Sequence, residues 1–166
     1  MSDAPKPPFR VGHGYDLHRL KNGGILVLGG VKVADNLSPV AHSDGDVVLH
    51  AVVDALLGAM GQGDIGEYFP DTDPAWQGAS SKVFVEHAYR NVAFAGYRVQ
   101  NADVTVLAER PKLKPFKPDM VRSLAELLHV SSDRVNVKAG TNEGCDAIGR
   151  GEAIAAHAVV LLATRL

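Results

Sequence analysis

The sequence predicts an α/β (α+β) fold, a two-layer sandwich in which a mixed, four-stranded sheet carries helices on one face and a short hairpin lies beside it. Short apolar stretches rich in β-branched residues alternate with segments whose apolar residues follow helical spacing, which is typical of two packed layers. The 166 residues contain no internal repeat and no linker. This length fits one domain.

The chain is expected to divide into a disordered tail at residues 1–8 and a single domain at residues 9–166. The tail is rich in proline, and it is too short and too polar for a signal peptide. Residues 9–18 then favour a strand, and residues 25–33 alternate around two glycines. The turn Asn22-Gly23-Gly24 between them predicts a hairpin of two paired strands.

A first helix is expected between Ser43 or Asp44, either of which can act as N-cap, and Gly61, because the apolar residues between them follow helical spacing. Residues 64–80 hold aspartates, prolines and glycines without periodicity. This pattern predicts a long loop, and such loops are more often functional than decorative.

A second helix is expected after the cap Ser80-Ser81 and up to Gly96, and a third at residues 119–128. The last apolar segment is continuous, which indicates a buried strand. Three further strands are expected at residues 97–107, 135–141 and 154–163.

Composition excludes two classes of partner. Seventeen Lys and Arg against nineteen Asp and Glu give a net charge of −2. The chain therefore lacks the overall positive field that attracts nucleic acids and anionic membranes. No apolar run approaches the roughly 18 residues of a membrane span. The single cysteine, Cys145, excludes an internal disulfide and an all-cysteine zinc site. The 17 glycines and seven histidines favour close backbone approaches and imidazole chemistry.

Three residues form a candidate metal site. Asp16 and His18 lie two apart on a predicted strand, so their side chains leave the same face. A third ligand would complete the open tetrahedral site of catalytic zinc, and His50 on the following helix is the best candidate. Asp46, one helical turn earlier, is expected to orient the second ring nitrogen of His50. The alternative is that Asp16 is a turn residue and both histidines are ordinary polar residues.

The segment from His42 to Asp46 lies at the helix entrance, where free N–H groups and the helix dipole favour anions. An imidazole and a hydroxyl there suit phosphate, although the segment also fits a plain helix cap. The acidic residues of loop 64–73 can accept hydrogen bonds from sugar hydroxyls or form Asx turns.

Three further segments carry polar chemistry. Residues 110–115 place three cations after a strand, where they can meet phosphate or form a solvated edge. Thr141, Asn142 and Glu143 offer oxygen ligands of the kind that hold Mg²⁺ beside phosphates. The turn Gly149-Arg150-Gly151-Glu152 contains one cationic side chain, that of Arg150.

Several other residues are better explained by structure than by chemistry. His87, His129 and His157 are expected to be structural, and Trp76 to pack its loop against the body of the domain. Cys145 lacks the setting of a nucleophilic thiolate.

Together and in order, these segments resemble the 2-C-methyl-D-erythritol 2,4-cyclodiphosphate synthase family over residues 10–162. A match in this order is far more specific than any one motif. The segments that carry the resemblance are Gly12-His13-Gly14-Tyr15-Asp16-Leu17-His18, Ala41-His42-Ser43-Asp44-Gly45-Asp46-Val47, Asp54-Ala55-Leu56-Leu57-Gly58, Gly63-Asp64-Ile65-Gly66, Phe69-Pro70-Asp71-Thr72-Asp73-Pro74 and Gly149-Arg150-Gly151-Glu152.

The resemblance implies a phosphorus–oxygen lyase of the non-mevalonate (MEP) isoprenoid pathway. It would convert 4-diphosphocytidyl-2-C-methyl-D-erythritol 2-phosphate to 2-C-methyl-D-erythritol 2,4-cyclodiphosphate and release CMP. The resemblance further implies a bacterial cytoplasmic homotrimer whose sheets pack around a central axis, with active sites at subunit interfaces. An isoprenoid diphosphate is a candidate ligand of the central cavity, with Arg150 as its natural anchor.

The resemblance also implies roles for individual residues. Asp16, His18 and His50 would hold zinc or another divalent metal, and Glu143 would hold Mg²⁺ or Mn²⁺ on the substrate diphosphate. His42 and Thr141 would steady the transition state. The residues assigned to substrate binding, in part across the interface, are Ser43, Asp64, Ile65, Gly66, Phe69, Pro70, Asp71, Thr72, Asp73, Ala108, Pro111, Lys112, Leu113, Lys114, Gly140, Asn142, Ala147 and Arg150.

The chain departs from the family pattern in its last loop. Gly144 stands where the family usually has Lys, and Ala147 stands where it has an aromatic residue. Two alternative functions remain open at this point. One is a metal-dependent phosphohydrolase, in which a zinc-bound water attacks, and the other is a non-catalytic trimeric ligand-binding module.

Overall fold

The computed structural model describes residues 5–165. Its strands are β1 (Phe9–Asn22), β2 (Leu26–Leu28), β3 (Val31–Ala34), β4 (Leu37–Pro39), β5 (Tyr97–Leu107), β6 (Val135–Gly140) and β7 (Ala153–Thr164). Its helices are α1 (Val47–Met60), α2 (Ile65–Tyr68), α3 (Lys82–Phe94), α4 (Lys117–Leu128) and α5 (Asp146–Gly149), with single 3₁₀ turns at Pro74–Trp76, Lys114–Phe116 and Ser132–Arg134.

The main sheet has five strands in the order β4-β1-β7-β5-β6. Only β5 and β6 run parallel, joined by the crossover helix α4, so the sheet is mixed. Helices α1, α3 and α4 pack against one face of this sheet and against each other. The predicted two-layer α/β fold is therefore confirmed. The fifth strand, β4, was missed because it has only three residues.

The predicted pairing of residues 9–18 with residues 25–33 is wrong. Strand β1 continues to Asn22 and pairs antiparallel with β7. The segment that was expected to be its partner folds on itself as the hairpin β2-β3, with Leu28 opposite Val31. Gly29 and Gly30 form its two-residue turn with φ angles of 58° and 76°. Two consecutive positive φ values suit a tight hairpin, so the alternation around these glycines marked a turn inside the segment.

Helix α1 lies directly on β1. A Cβ atom at Gly12 or Gly14 would overlap the carbonyl oxygen of Ala55 or Ala51, respectively. Side chains at positions 12, 14, 16 and 18 leave the same face of β1, because side chains alternate along a strand. The contact of Gly14 with Ala51 therefore brings Asp16 beside His50, the residue before Ala51.

Among residues 5–165, the opposite face of the sheet is covered at one end, where Ile148 of the short helix α5 packs with Ala153 and Ala155 of β7. Elsewhere on this face, five large apolar side chains of β1 and β7 point to solvent, with exposed fractions from 41% to 69%. They are Phe9, Val11, Tyr15, Leu17 and Val159. Such a contiguous apolar face is typical of a surface that becomes buried by association.

The expected disordered tail lies partly outside the described residues, which begin at residue 5. Two residues of the described part of this tail bond to the domain. The carbonyl oxygen of Pro7 accepts a hydrogen bond from the Tyr97 hydroxyl at 2.9 Å, and the carbonyl oxygen of Pro8 accepts one from the Thr164 amide at 3.1 Å. Within residues 5–165, no helix combines the length and the apolar character needed to cross a bilayer.

Candidate active site

Asp16, His18 and His50 come together at the end of β1 nearest the start of α1. Asp16 Oδ2 lies 2.9 Å from His50 Nδ1 and 3.1 Å from His18 Nε2. The two ring nitrogens, His18 Nε2 and His50 Nδ1, are 3.2 Å apart. These three ligand atoms form a group that can hold a metal ion, as predicted from the spacing. Two imidazole nitrogens and one carboxylate oxygen are a donor set that suits zinc with an open position.

Asp16 is held in its charged form. Burial alone would raise the pKa of this carboxyl group, but its short contacts and charge interactions with the His18 and His50 rings outweigh burial and bring the pKa well below its ordinary value. Asp16 is therefore ionised at neutral pH, which is the state that binds a metal.

Asp46 does not orient His50, contrary to the prediction. Its fully buried carboxylate accepts hydrogen bonds from the amides of Gly29 and Gly30 at 2.9 and 2.7 Å. It also accepts bonds from Val48 and Leu49, each at 3.1 Å, as the N-cap of α1. Burial raises the pKa of Asp46 to about 6 in spite of these donors. Capping thus uses the oxygens that were expected to reach the imidazole, and Ser43 and Asp44 do not serve as the cap.

Two serines contact His50 Nε2 instead. Ser81 Oγ lies 2.8 Å from this nitrogen and Ser43 Oγ lies 3.2 Å from it. Ser81 precedes α3, as the cap prediction placed it, but its side chain makes no capping hydrogen bond. Its hydroxyl is fully buried between α1 and α3. Sequence reasoning missed this contact because Ser81 follows His50 by 31 residues.

The metal-ligand cluster opens into a cavity of about 500 Å³. Of the residues predicted to bind phosphate or sugar, His42, Ser43, Ile65, Gly66, Phe69, Pro70 and Asp71 line it. Sequence reasoning missed four other lining residues, which are Val40, Ala41, Trp76 and Phe84. The predicted phosphate and sugar sites therefore share one cavity with the metal ligands.

Three residues of the predicted sugar loop do not line this cavity, namely Asp64, Thr72 and Asp73. The Asp64 carboxylate caps α2 by accepting a bond from Glu67 N at 3.2 Å. The Asp73 carboxylate accepts a bond from Ala75 N at 2.9 Å, and its carbonyl oxygen lies 2.9 Å from His42 Nε2. The loop thus has local structure of its own and holds the His42 ring in place.

An aromatic cluster fixes the loop over the cavity. The Phe69 ring stacks on Phe84 with centroids 4.4 Å apart and meets Trp76 edge-on at 5.1 Å. His87 packs edge-on against Phe69 at 5.2 Å. Trp76 and His87 therefore have the structural roles predicted for them.

Asp54 joins the loop to α1, one helical turn after His50. Its Oδ1 accepts a hydrogen bond from the Ile65 amide at 2.8 Å. Burial raises the pKa of this carboxyl group, and the hydrogen bond from Ile65 opposes the rise. The aspartate belongs to a motif that carried the family resemblance, yet it was not predicted as a site residue.

A second cavity, of about 340 Å³, lies where β5 and β6 end. Its lining contains six of the residues that the family resemblance assigned to substrate binding, together with Thr141. They are Ala108, Pro111, Lys112, Leu113, Lys114 and Gly140, with Lys117 and Ala139 added by the structure. The two cavities share no lining residue, and strand β7 separates β1 from β5.

The last loop carries the remaining predicted residues outside both cavities, apart from Thr141. Glu143 is exposed, and its Oε1 accepts a hydrogen bond from the Thr141 hydroxyl at 3.2 Å. Asn142 donates to Asp146 Oδ2 at 2.8 Å. Ala147 is half-buried within α5. Within residues 5–165, Glu143 joins no cluster able to hold a metal; the Asp16 group alone does so.

Arg150 is exposed at the start of the turn before β7. Its Nε and Nη2 each donate to a different carboxylate oxygen of Glu152 at 3.1 Å. This two-bond ion pair orients the guanidinium and leaves its remaining N–H groups for another anion.

Known proteins match nearly the whole chain. A sequence model described as the YgbB family matches residues 9–163. The 2-C-methyl-D-erythritol 2,4-cyclodiphosphate synthase of Pelobacter propionicus is 51% identical over 154 residues, which are 93% of this chain and 98% of that protein.

Two solved structures share the fold. A 2C-methyl-D-erythritol-2,4-cyclodiphosphate synthase in a CDP-bound form is 43% identical, with a TM-score of 0.85 over 92% of this chain and 99% of that one. Plasmodium falciparum IspF in complex with CDP is 32% identical, with a TM-score of 0.86 over 98% of this chain and 100% of that one. The chain therefore belongs to the YgbB family, the family of the 2-C-methyl-D-erythritol 2,4-cyclodiphosphate synthases.

Proposed function

We propose that the protein catalyses the reaction of its family, the cyclisation of 4-diphosphocytidyl-2-C-methyl-D-erythritol 2-phosphate with release of CMP. It would thereby act as a phosphorus–oxygen lyase in the MEP pathway. The observation that carries this proposal is the single cavity shared by the metal-ligand cluster, His42, Ser43 and the sugar loop. Such a cavity suits a substrate whose phosphate and sugar parts are bound side by side.

The reaction exchanges one phosphorus–oxygen bond for another. An oxygen of the 2-phosphate bonds to the β-phosphorus, and the bond from that phosphorus to the oxygen bridging the α-phosphorus breaks. CMP leaves with the bridging oxygen and its electron pair. Because nucleophile and electrophile belong to one molecule, positioning can supply effective molarities on the order of 10⁵–10⁸ M. The protein then needs to orient the phosphates and offset their charge more than it needs a general base.

Asp16, His18 and His50 would hold zinc or another divalent metal. When bound, the metal supplies a Lewis acid and a template for phosphate oxygens. His42 lies in the same cavity, and its contact with the Asp73 carbonyl fixes the direction of its ring. The Ser43 hydroxyl can donate to a phosphate from the entrance of α1. Backbone groups at Ile65 and Gly66, fixed by Asp54, would meet the methylerythritol hydroxyls.

Glu143 would hold Mg²⁺ or Mn²⁺ together with the substrate diphosphate. An exposed carboxylate that joins no group of His, Cys, Asp or Glu ligands within residues 5–165 suits a metal whose other ligands come from phosphate oxygens and water. Thr141 lines the nucleotide-side cavity, so its hydroxyl would act at the reacting diphosphate.

The proposed assembly is a homotrimer with active sites at its interfaces. Two features support it: the exposed apolar face of β1 and β7, and the division of the predicted ligands between two cavities with no common residue. A neighbouring subunit would bring its nucleotide-side cavity to the metal cavity of the first.

The central axis could then hold an isoprenoid diphosphate, whose phosphate would compete with the Glu152 carboxylate for the Arg150 guanidinium. Bacterial relatives support a cytoplasmic enzyme.

The decisive experiment follows the cytidyl substrate by ³¹P NMR with zinc- and magnesium-loaded protein. We expect equal amounts of CMP and the cyclic diphosphate, and loss of turnover after chelation. CMP without the cyclic product would instead indicate a phosphohydrolase. Binding without turnover, unchanged by chelation, would indicate a ligand-binding module.

A further inference from the structure

We propose that Ser81, held by Asp44, sets the ring of His50 so that its Nε2 carries the proton and its Nδ1 lone pair faces Asp16 and His18. Ser81 is thus a positioning residue for the metal ligand. The inference rests on the metal site of the proposed function, and it is independent of the reaction that the site performs.

The direction of the Ser81 hydroxyl follows from Asp44. The half-buried Asp44 carboxylate accepts the Ser81 amide at 3.0 Å and the Asp46 amide at 3.2 Å. The Ser81 hydroxyl also contacts this carboxylate. An ionised carboxylate has acceptors only, so the hydroxyl must donate its single proton to Asp44.

The protonation of His50 follows in turn. With its proton on Asp44, the Ser81 oxygen can only accept from His50 Nε2, which lies 2.8 Å away. Nε2 is therefore the N–H of the ring, and in a neutral imidazole Nδ1 is then the acceptor. Ser43 Oγ, which accepts the Gly45 amide at 3.2 Å, lies 3.2 Å from the same Nε2 and can share its proton.

On the metal-facing side, the Nδ1 lone pair of His50 that this assignment leaves free faces the Asp16 carboxylate oxygen, 2.9 Å away. One divalent cation can then bind both atoms. The chain from Asp44 through Ser81 to His50 therefore prepares a pair of lone pairs for a divalent cation, as carboxylate partners of metal-bound histidines commonly do.

The first test measures zinc affinity by competition with a chelator, in the absence of substrate. We expect Ser81→Ala to weaken zinc binding by roughly 10–100-fold, the range seen when such partners of metal ligands are lost. Ser80→Ala is the matched control, because the neighbouring Ser80 is exposed, whereas the hydroxyls that contact His50 Nε2 are those of Ser43 and Ser81. The control should bind zinc like the unchanged protein. A folded Ser81→Ala protein with unchanged affinity would overturn the inference.

The second test locates the ring proton by long-range ¹H–¹⁵N NMR of His50 in the unchanged protein, with and without zinc. We expect the proton on Nε2, and a proton on Nδ1 in the zinc-loaded protein would overturn the proposal even if Ser81→Ala does not fold. If the unchanged protein binds no zinc, the metal site of the proposed function fails. The ring proton of the metal-free protein then still decides the role of Ser81.

Discussion

The metal cavity and the cavity at the ends of β5 and β6 differ in how much of their chemistry one subunit completes. Around the metal ligands, the side chains of His42, Ser43 and His50 already have protein partners, and the elements that carry the ligands are packed through backbone contact. Around the second cavity, Lys112, Lys114 and the nearby Glu143 are exposed and engage few protein groups. The difference indicates that the metal cavity is organised before substrate binds, whereas the nucleotide side is completed by ligand and by a second subunit.

The largest effect is expected from removing a metal ligand. Asp16→Ala and His50→Ala should each abolish zinc retention and lower turnover on the order of 10³-fold or more, because electrostatic stabilisation of the transition state is lost. The chain should stay folded, as judged by circular dichroism. Asp35→Ala, which removes an exposed ion pair with Lys32, is the control. Retention of zinc by Asp16→Ala would refute the assignment of the metal cavity.

A second change tests whether backbone packing sets the metal cavity. Gly14→Ala forces a Cβ against the Ala51 carbonyl, so the free energy of unfolding should fall by about 3 kcal/mol, at the upper end of overpacking costs. Urea denaturation measures this change. Gly58→Ala is the matched control in α1, since its Cβ would meet only His13 O at 3.8 Å. That variant should be neutral or slightly stabilising, because alanine favours the helix.

A third change tests Glu143, which lies near the second cavity. Glu143→Gln should leave zinc affinity unchanged and raise the Mg²⁺ concentration needed for half-maximal turnover by about tenfold. Zinc affinity should not change because Glu143 does not belong to the metal-holding group within residues 5–165, which consists of Asp16, His18 and His50. Titration of activity with Mg²⁺ measures the shift. Equal loss of zinc in Glu143→Gln and Asp16→Ala would show that the two metals are not separate.

The smallest effect concerns an ion pair on the strands beneath the second cavity. A hydrogen bond from Lys138 lowers the pKa of Asp103 below its ordinary 3.8. A depressed carboxyl pKa stabilises the fold above the ordinary value, and this contribution disappears as the pH falls through the lowered value. The Asp103 side chain is 40% exposed, so the contribution should stay under about 1 kcal/mol. Asp103→Asn should therefore destabilise slightly at neutral pH and not in strong acid, as measured by thermal unfolding.

The sequence predicts best where a local repeat fixes direction. Asp16 and His18 were placed on one strand face by the two-residue period, and the helical segment after Ser43 was located from its apolar spacing. Predicting the metal site then required one further assumption, that His50 of this helix lies beside Asp16 and His18 of the strand. The helix and the strand that carry the metal cavity were accordingly located correctly, but β1 continues to Asn22 beyond the predicted end at residue 18, and the predicted loop contains helix α2.

The errors come from competition for hydrogen bonds and strand partners over long distances in sequence. Helical spacing made Asp46 a neighbour of His50, but buried amides of the β2-β3 turn take its carboxylate. Helical spacing within α1 could not indicate Ser81, because Ser81 contacts His50 from the start of α3. Strand β1 was matched with the nearest apolar segment, although its partner β7 lies at the other end of the chain.

The buried carboxylate of Asp46 also links two elements of the fold. Its Oδ1 accepts the Gly29 amide of the turn together with the Val48 and Leu49 amides of α1, and its Oδ2 accepts the Gly30 amide. Opening the hairpin turn therefore exposes a buried charge at the helix start, so the turn and that end of α1 should open as one unit. In hydrogen exchange, we expect these glycine amides to be protected as strongly as the helix, unlike ordinary turn amides.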